Sequence, residues 1–122
     1  VDQGSDFGRA FALVFSEYER RKTQQNSVDF DDLLTLPVRL FQEKPEVLQK
    51  YQNRWKYLSV DEFQDTNAVQ LAFLQQIAQG NGGNICAIGD SDQSIYAFRG
   101  ADMTNILRFS EFFPEAKIVK LE

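Results

Sequence analysis

The chemistry this chain can offer is carried by oxygen-bearing side chains gathered in two stretches. The first is Val60-Asp61-Glu62-Phe63-Gln64-Asp65, where two adjacent carboxylates follow a short apolar run. A carboxylate leaving the end of a strand can hold a magnesium ion, directly or through water. Its neighbour can then orient or deprotonate an attacking water, the division of labour that phosphoryl transfer to water needs. The same residues also read as an acidic turn leading into a helix, with Asp65 or Thr66 as its N-cap.

The second stretch runs Gly89-Asp90-Ser91-Asp92-Gln93-Ser94-Ile95-Tyr96-Ala97-Phe98-Arg99-Gly100-Ala101-Asp102. It is too elaborate for a plain connection. The Gln93 amide can report on a phosphate, Tyr96 and Phe98 alternate around Ala97 as side chains offered to stacked bases do, and Arg99 can pair with a phosphate or an acid. In the plainer alternative Tyr96 and Phe98 pack under the loop, Arg99 makes a structural ion pair, and Asp90 and Asp92 only form turns.

Composition narrows the choice. The chain has 122 residues, 43% of them hydrophobic and 25% charged, which suits one globular domain rather than a disordered tail. With 18 acidic against 13 basic residues the net charge is -5, the wrong sign for a domain that grips nucleic acid unaided. No histidine is present and Cys86 is the single cysteine, so Ser-His-Asp triads, Cys-His pairs, zinc centres and internal disulfides are excluded. What remains is hard oxygen ligands, suited to magnesium. No run is long and apolar enough for a membrane span and no segment reads as a signal peptide, so a cytoplasmic setting without membrane contact is expected.

These stretches need a scaffold, and hydrophobic periodicity supplies one. Phe7, Phe11, Val14, Phe15 and Tyr18 share a helical face, with Arg20, Arg21 and Lys22 at its C-terminal turn and a break at Thr23 to Ser27. A second helix is expected from near Asp29, with Asp31 and Asp32 in its first turn and Pro37 kinking or dividing it. A third begins at Pro45 and buries Val47, Leu48, Tyr51 and Trp55. From residue 57 the character changes. Tyr57 to Val60, Asn84 to Ile88 and Lys117 to Leu121 read as strands. Between them lie a helix carrying Val69, Phe73, Leu74 and Ile77, closed by Gly80 and Asn81-Gly82-Gly83, and another around Ile106, Leu107 and Phe109. The expected class is α/β: a helical segment over 1–56, then βαβαβ over 57–122, with parallel strands and right-handed crossover helices. Asp61 and Asp90 fall at C-terminal strand ends, where such sheets bind ligands.

Asp61-Glu62-Phe63-Gln64-Asp65-Thr66-Asn67 followed by the stretch from Gly89 to Asp102 resembles motifs II and III of the UvrD/Rep/PcrA family of superfamily 1 DNA helicases. Val28-Asp29-Phe30-Asp31-Asp32-Leu33-Leu34 resembles the helix before motif II, and Ile118 to Glu122 the strand leading into motif IV. The likeness covers roughly residues 7 to 122. It implies a partial RecA-like P-loop NTPase domain, with ATP and Mg2+ as cofactors. Carried across, Asp61 (the Walker B aspartate) would coordinate magnesium, Glu62 would act as the catalytic carboxylate, and Gln93 would sense the γ-phosphate. Tyr96, Phe98 and Arg99 would contact single-stranded DNA, Arg99 also linking this loop to the motif II acids. Phe98 stands where tryptophan is frequent and keeps a stacking face. Ala97 stands where arginine is frequent and forfeits a DNA contact.

No glycine here precedes a lysine, so the phosphate-cradling Walker A loop is absent, as are the adenine-binding glutamine motif and the later motifs that bring arginine fingers. The expectation is therefore a piece of a longer 3′ to 5′ helicase that acts on single-stranded and partly duplex DNA with its remaining domains, a piece unable to hydrolyse ATP alone. Missing the Walker A strand, its sheet should leave an edge uncovered. Two other readings differ in kind: a non-catalytic helicase-like binding module, and a small magnesium-dependent phosphotransfer domain with Asp61 and Asp90 as ligands.

Overall fold

The computed structural model describes residues 6–90 and 109–120. Contacts divide the chain into two compact units, Val1–Leu33 and Leu34–Glu122, so the division falls inside the second helix, upstream of the change to strand-bearing sequence after residue 56.

In the first unit, α1 (Asp6–Gln24) is a regular helix of 19 residues. Its apolar residues do align: the Phe11 and Phe15 rings stack with centroids 6.0 Å apart. The stripe nevertheless stays exposed among the described residues, Phe7 by 78% and Val14 by 70%. The helix stops where expected, because Asn26 takes a left-handed conformation (φ 50°) and lets the Ser27 N–H donate to the Lys22 carbonyl at 3.0 Å. The next helix is announced by reciprocal capping. Asp32 N–H donates to Asp29 Oδ1 (2.9 Å) while Asp29 N–H donates to Asp32 Oδ2 (3.0 Å).

Lys22 closes this turn. Its ammonium lies 2.7 Å from Glu19 Oε1, 2.7 Å from Asp32 Oδ2 and 3.1 Å from Asp29 Oδ2. It also sits 5.3 Å from the centre of the Tyr18 ring, whose hydroxyl donates to Asp29 Oδ2 at 2.7 Å. The carboxylates, Asp32 first and then Glu19, push the Lys22 pKa well above the lysine range. Asp29 is pushed down to about 2, first by the Asp32 backbone N–H and then by Tyr18 and Lys22. A carboxyl lowered on folding contributes stability that is complete above its unfolded pKa of roughly 3.9 and disappears as the pH falls through its folded pKa. The helical signal of wild type and Asp29→Asn, followed by circular dichroism during acid titration, should therefore differ above pH about 4 and converge towards pH about 2. A difference that persists unchanged below that range would exclude this role for Asp29.

In the second unit the helices pack through aromatic rings and amides. The helix α2 (Phe30–Glu43) continues through Pro37 without division. Proline there removes one hydrogen bond, and the far end is anchored by Phe41, which is buried, stacks on Phe73 at 5.6 Å and meets the tilted Tyr51 ring at 5.6 Å. In α3 (Pro45–Arg54) proline occupies the first turn as expected. Val47, Leu48 and Tyr51 are half-buried, whereas Trp55, at the helix end, keeps 36% of its surface exposed. Gln52 donates to the Gln76 carbonyl at 2.8 Å and Gln76 to the Val38 carbonyl at 3.2 Å, fastening α4 (Ala68–Gly80) to its neighbours.

The strands β1 (Leu58–Val60) and β2 (Ile85–Ala87) pair in parallel, Leu58 opposite Ile85 and Val60 opposite Ala87. Both are shorter than the apolar runs that announced them. Between them, α4 is capped by Asn67 rather than by Asp65 or Thr66: Gln70 N–H donates to Asn67 Oδ1 (2.9 Å) and Asn67 N–H to Gln70 Oε1 (3.0 Å). At its other end Gly82 (φ 79°) supplies the left-handed turn and Gly83 N–H reaches the Ala78 carbonyl at 3.0 Å. Ile77 and Ala78 are buried, and Leu71 nearly so.

The third strand, expected at Lys117 to Leu121, is not seen over residues 117–120, and Leu121 lies outside the described residues. Among the described residues the sheet has two strands. An extended run gains its stability by pairing backbone groups with a neighbour, and among the described residues Ile118 and Val119, 72% and 78% exposed, have no strand beside them. Of the helix expected around Ile106, Leu107 and Phe109, the described part is α5 (Phe109–Phe112). A mixed helical and parallel-strand α/β segment is what the described residues establish. Among them no helix is long and apolar enough to cross a membrane.

Candidate active site at the strand ends

Parallel pairing dictates which backbone groups should meet beyond Val60. The ladder proceeds normally from Leu58, whose N–H donates to the Asn84 carbonyl, to Ile88 N–H, which donates to the Val60 carbonyl at 2.8 Å. In an unbroken ladder the Ile88 carbonyl would next accept from Glu62. It accepts instead from Phe63 N–H at 2.9 Å. One extra residue has been inserted, a β-bulge that lifts Asp61 and Glu62 out of the ladder and re-aims their side chains.

The bulge has a measurable backbone signature. Glu62 lies at φ 50° and ψ 42°, the left-handed region that glycine favours. A side chain there costs about 1–2 kcal/mol. Its N–H, displaced from the ladder, is met by Asp61 Oδ1 at 2.9 Å. Its carbonyl accepts from Asp65 N–H at 2.9 Å, opening the 3₁₀ turn Phe63–Asp65. Strain of this kind persists only where the surroundings hold it, and it gathers at functional sites.

Two features hold it. Phe63 is wholly buried and meets Phe109 edge-on, centroids 5.2 Å apart at 88°. Its carbonyl accepts from Thr66 twice, from Oγ1 at 2.7 Å and from N–H at 3.1 Å. Gln64, also wholly buried, donates from Nε2 to Glu62 Oε2 at 2.6 Å and accepts through Oε1 from the Asp90 N–H at 3.0 Å. The two strand ends expected to share a site are thus tied by one amide.

The carboxylates themselves face outward. Asp61 and Glu62 are both exposed. Asp61 Oδ2 and Glu62 Oε1 have no partner among the described residues, one oxygen of each being engaged as above. Such a donor fits a hard divalent cation that completes its shell with phosphate oxygens and water, as magnesium does. Among the described residues no three acidic or cysteine side chains gather into a metal site by themselves, so Asp61 would act as one ligand among others. Cys86 is exposed on β2. Asp65 Oδ1 is buried and has no hydrogen-bond partner among the described residues.

Sequence reasoning placed Asp61 and Glu62 at a strand end, and both stand directly after β1. Gln93, Tyr96, Phe98 and Arg99 lie outside the described residues, as does Ala97. Gln64 received no role from the sequence, although a neutral amide two residues after the second acid was the available signal. The left-handed Glu62 gave no signal at all, since glutamate is not a residue that marks that conformation.

Comparison with known proteins places the chain. The family profile described as the UvrD/REP helicase N-terminal domain matches residues 2–114. The chain belongs to this family. It is 43% identical over 119 residues to the ATP-dependent DNA helicase PcrA of Bacillus subtilis (strain 168), covering 98% of this chain and 16% of that protein. To PcrA of Staphylococcus epidermidis it is 45% identical over 121 residues, again 98% of this chain and 16% of the relative. To PcrA of Staphylococcus aureus (strain Mu50 / ATCC 700699) it is 47% identical over 111 residues, 91% of this chain and 15% of the relative. The chain therefore spans about one sixth of the length of the curated relatives it matches.

Proposed function

We propose that this chain is part of an ATP-dependent DNA helicase of the UvrD/PcrA type, a 3′ to 5′ translocase on single-stranded DNA that couples Mg-ATP hydrolysis to unwinding. The observation that carries the reading is the bulge that turns the Asp61 and Glu62 carboxylates out at the end of β1. Asp61 would hold magnesium through its open oxygen. When bound, that ion supplies neutralisation of the phosphate charge. Glu62, fixed through one oxygen by Gln64, would present the other to the attacking water and take its proton. Gln93 would sense the γ-phosphate, and Tyr96, Phe98 and Arg99 would meet the DNA strand. The remaining helicase domains would bring the phosphate cradle and arginines on which most of the electrostatic stabilisation of the transfer rests. The setting that follows is cytoplasmic.

The test is ATP turnover by the full-length protein and by the 122 residues alone, each with magnesium, with and without single-stranded DNA. The full-length protein should turn over ATP faster with DNA and unwind a partial duplex bearing a 3′ tail but not a 5′ tail. The isolated chain should do neither. Absence of turnover in the full-length protein would overturn the proposal and leave the non-catalytic binding module in its place. Turnover by the isolated chain would favour a self-contained phosphotransfer domain.

A further inference from the structure

We infer that Gln64 is a positioning residue: a buried amide that fixes the Glu62 carboxylate against the backbone at Asp90 and so sets the orientation in which Glu62 meets water. The inference rests on the hydrolytic reading above, and it assigns a task to a side chain that neither binds metal nor touches phosphate in that reading.

The chemistry of the partners determines which way the amide lies. A carboxylate oxygen can only accept and a backbone N–H can only donate. Gln64 Nε2 must therefore face Glu62 and Oε1 must face Asp90, which is the arrangement found, at 2.6 and 3.0 Å. Glutamine is the neutral side chain of this reach that can satisfy both at once. Lysine or arginine would lack the acceptor, glutamate would lack the donor, and methionine would fill the space with neither.

Burial makes the link selective. Gln64 has no exposed surface, so no solvent competes for its two partners and the side chain is held in one place. Glu62, by contrast, is exposed and sits on a strained backbone. Its carboxylate would be free to rotate without an anchor. A hydrogen bond to one oxygen removes that freedom while leaving the other for water, and a reacting group misplaced by about 1 Å can lose two orders of magnitude in rate. Because the second arm ends on the Asp90 backbone, the orientation of Glu62 also depends on where the second strand end lies.

Removing a partner that orients a catalytic group commonly costs about 10- to 100-fold in activity. In the full-length protein Gln64→Met should therefore lower kcat for DNA-stimulated ATP hydrolysis by about 10- to 100-fold and leave KM for ATP within about 2-fold. A purely structural role would instead lower the amount of active protein and add to any other defect. The double variant discriminates: on a Glu62→Gln background, Gln64→Met should bring no further loss, because it acts through the missing carboxylate. Retention of more than half the wild-type kcat by Gln64→Met, or full additivity in the double variant, would overturn the inference while the hydrolytic reading stood. If the wild-type protein turned over no ATP, both would fall together. Should Gln64→Met not fold, Gln64→Leu, which likewise offers neither donor nor acceptor, is expected to show the same loss of kcat with the same non-additivity.

Discussion

Glu62→Gln in the full-length protein is expected to lower kcat for ATP hydrolysis by roughly 10²- to 10⁴-fold, with KM for ATP little changed. At 1.36 kcal/mol for each factor of ten, that corresponds to about 3–5 kcal/mol of transition-state stabilisation. The substitution is close to isosteric, and the new amide oxygen can still accept from Gln64 Nε2, which now donates to Glu62 Oε2 at 2.6 Å. What is lost is the basicity and charge of the outward oxygen. Nucleotide binding and thermal stability should therefore survive, and equilibrium binding of a non-hydrolysable nucleotide should separate the two effects. A variant that retained a tenth or more of the wild-type rate would show that Glu62 is not the group that activates water.

The backbone conformation of Glu62 sharpens this expectation. A glutamate placed at φ 50° has been given a cost that glycine would avoid, about 1–2 kcal/mol, at a position exposed to solvent. The one structural return is the acceptor it offers the buried Gln64 amide. A carboxylate whose direction matters offers a further reason to keep it, because the bulge is what points it away from the strand ladder.

How much of this was legible beforehand follows from which forces act locally. The helices α1 and α3 and the pairing of β1 with β2 could be read from apolar spacing and from Pro45, since periodicity and first-turn proline are local. Of the two outcomes open at Pro37, a kink or a division, the division does not occur, and that was not legible because it depends on the anchoring of Phe41 by Phe73 and Tyr51. The N-cap was misplaced by one or two residues for a different reason: Asp65, Thr66 and Asn67 are all competent caps, and the choice was made by Gln70 answering Asn67. The place of Asp61 and Glu62 just beyond β1 was legible because an acidic pair after an apolar run lies where a parallel sheet exposes its strand ends. The role of Gln64 was not, since it depends on a hydrogen bond to the backbone of Asp90, which only the pairing of the strands brings near.

The bulge itself should be set by Phe63, and truncating that ring is the largest stability change expected in the chain. Phe63→Ala should destabilise the fold by about 3–5 kcal/mol, the range for removing a buried phenyl group and leaving a cavity. Phe63 is wholly buried against Phe109, and Phe109 in turn packs against Phe113 at 4.8 Å, so collapse around the void would have to disturb a row of three rings. A domain whose total stability is about 5–15 kcal/mol would lose a large share of it. The position also makes the last backbone hydrogen bond to the segment after β2 among the described residues, from the Phe63 N–H to the Ile88 carbonyl. Phe63→Leu, which keeps most of the apolar volume, should cost considerably less and preserve that bond. Denaturant unfolding of the two variants measures the difference, and a Phe63→Ala loss below about 1 kcal/mol would mean that the ring is not what seats the bulge. Because an acidic turn otherwise exposed to water gains nothing by carrying a phenylalanine, its presence between Glu62 and Gln64 is explained by this anchoring: the residue that stabilises the fold also sets the register from which the carboxylates before it are turned outward.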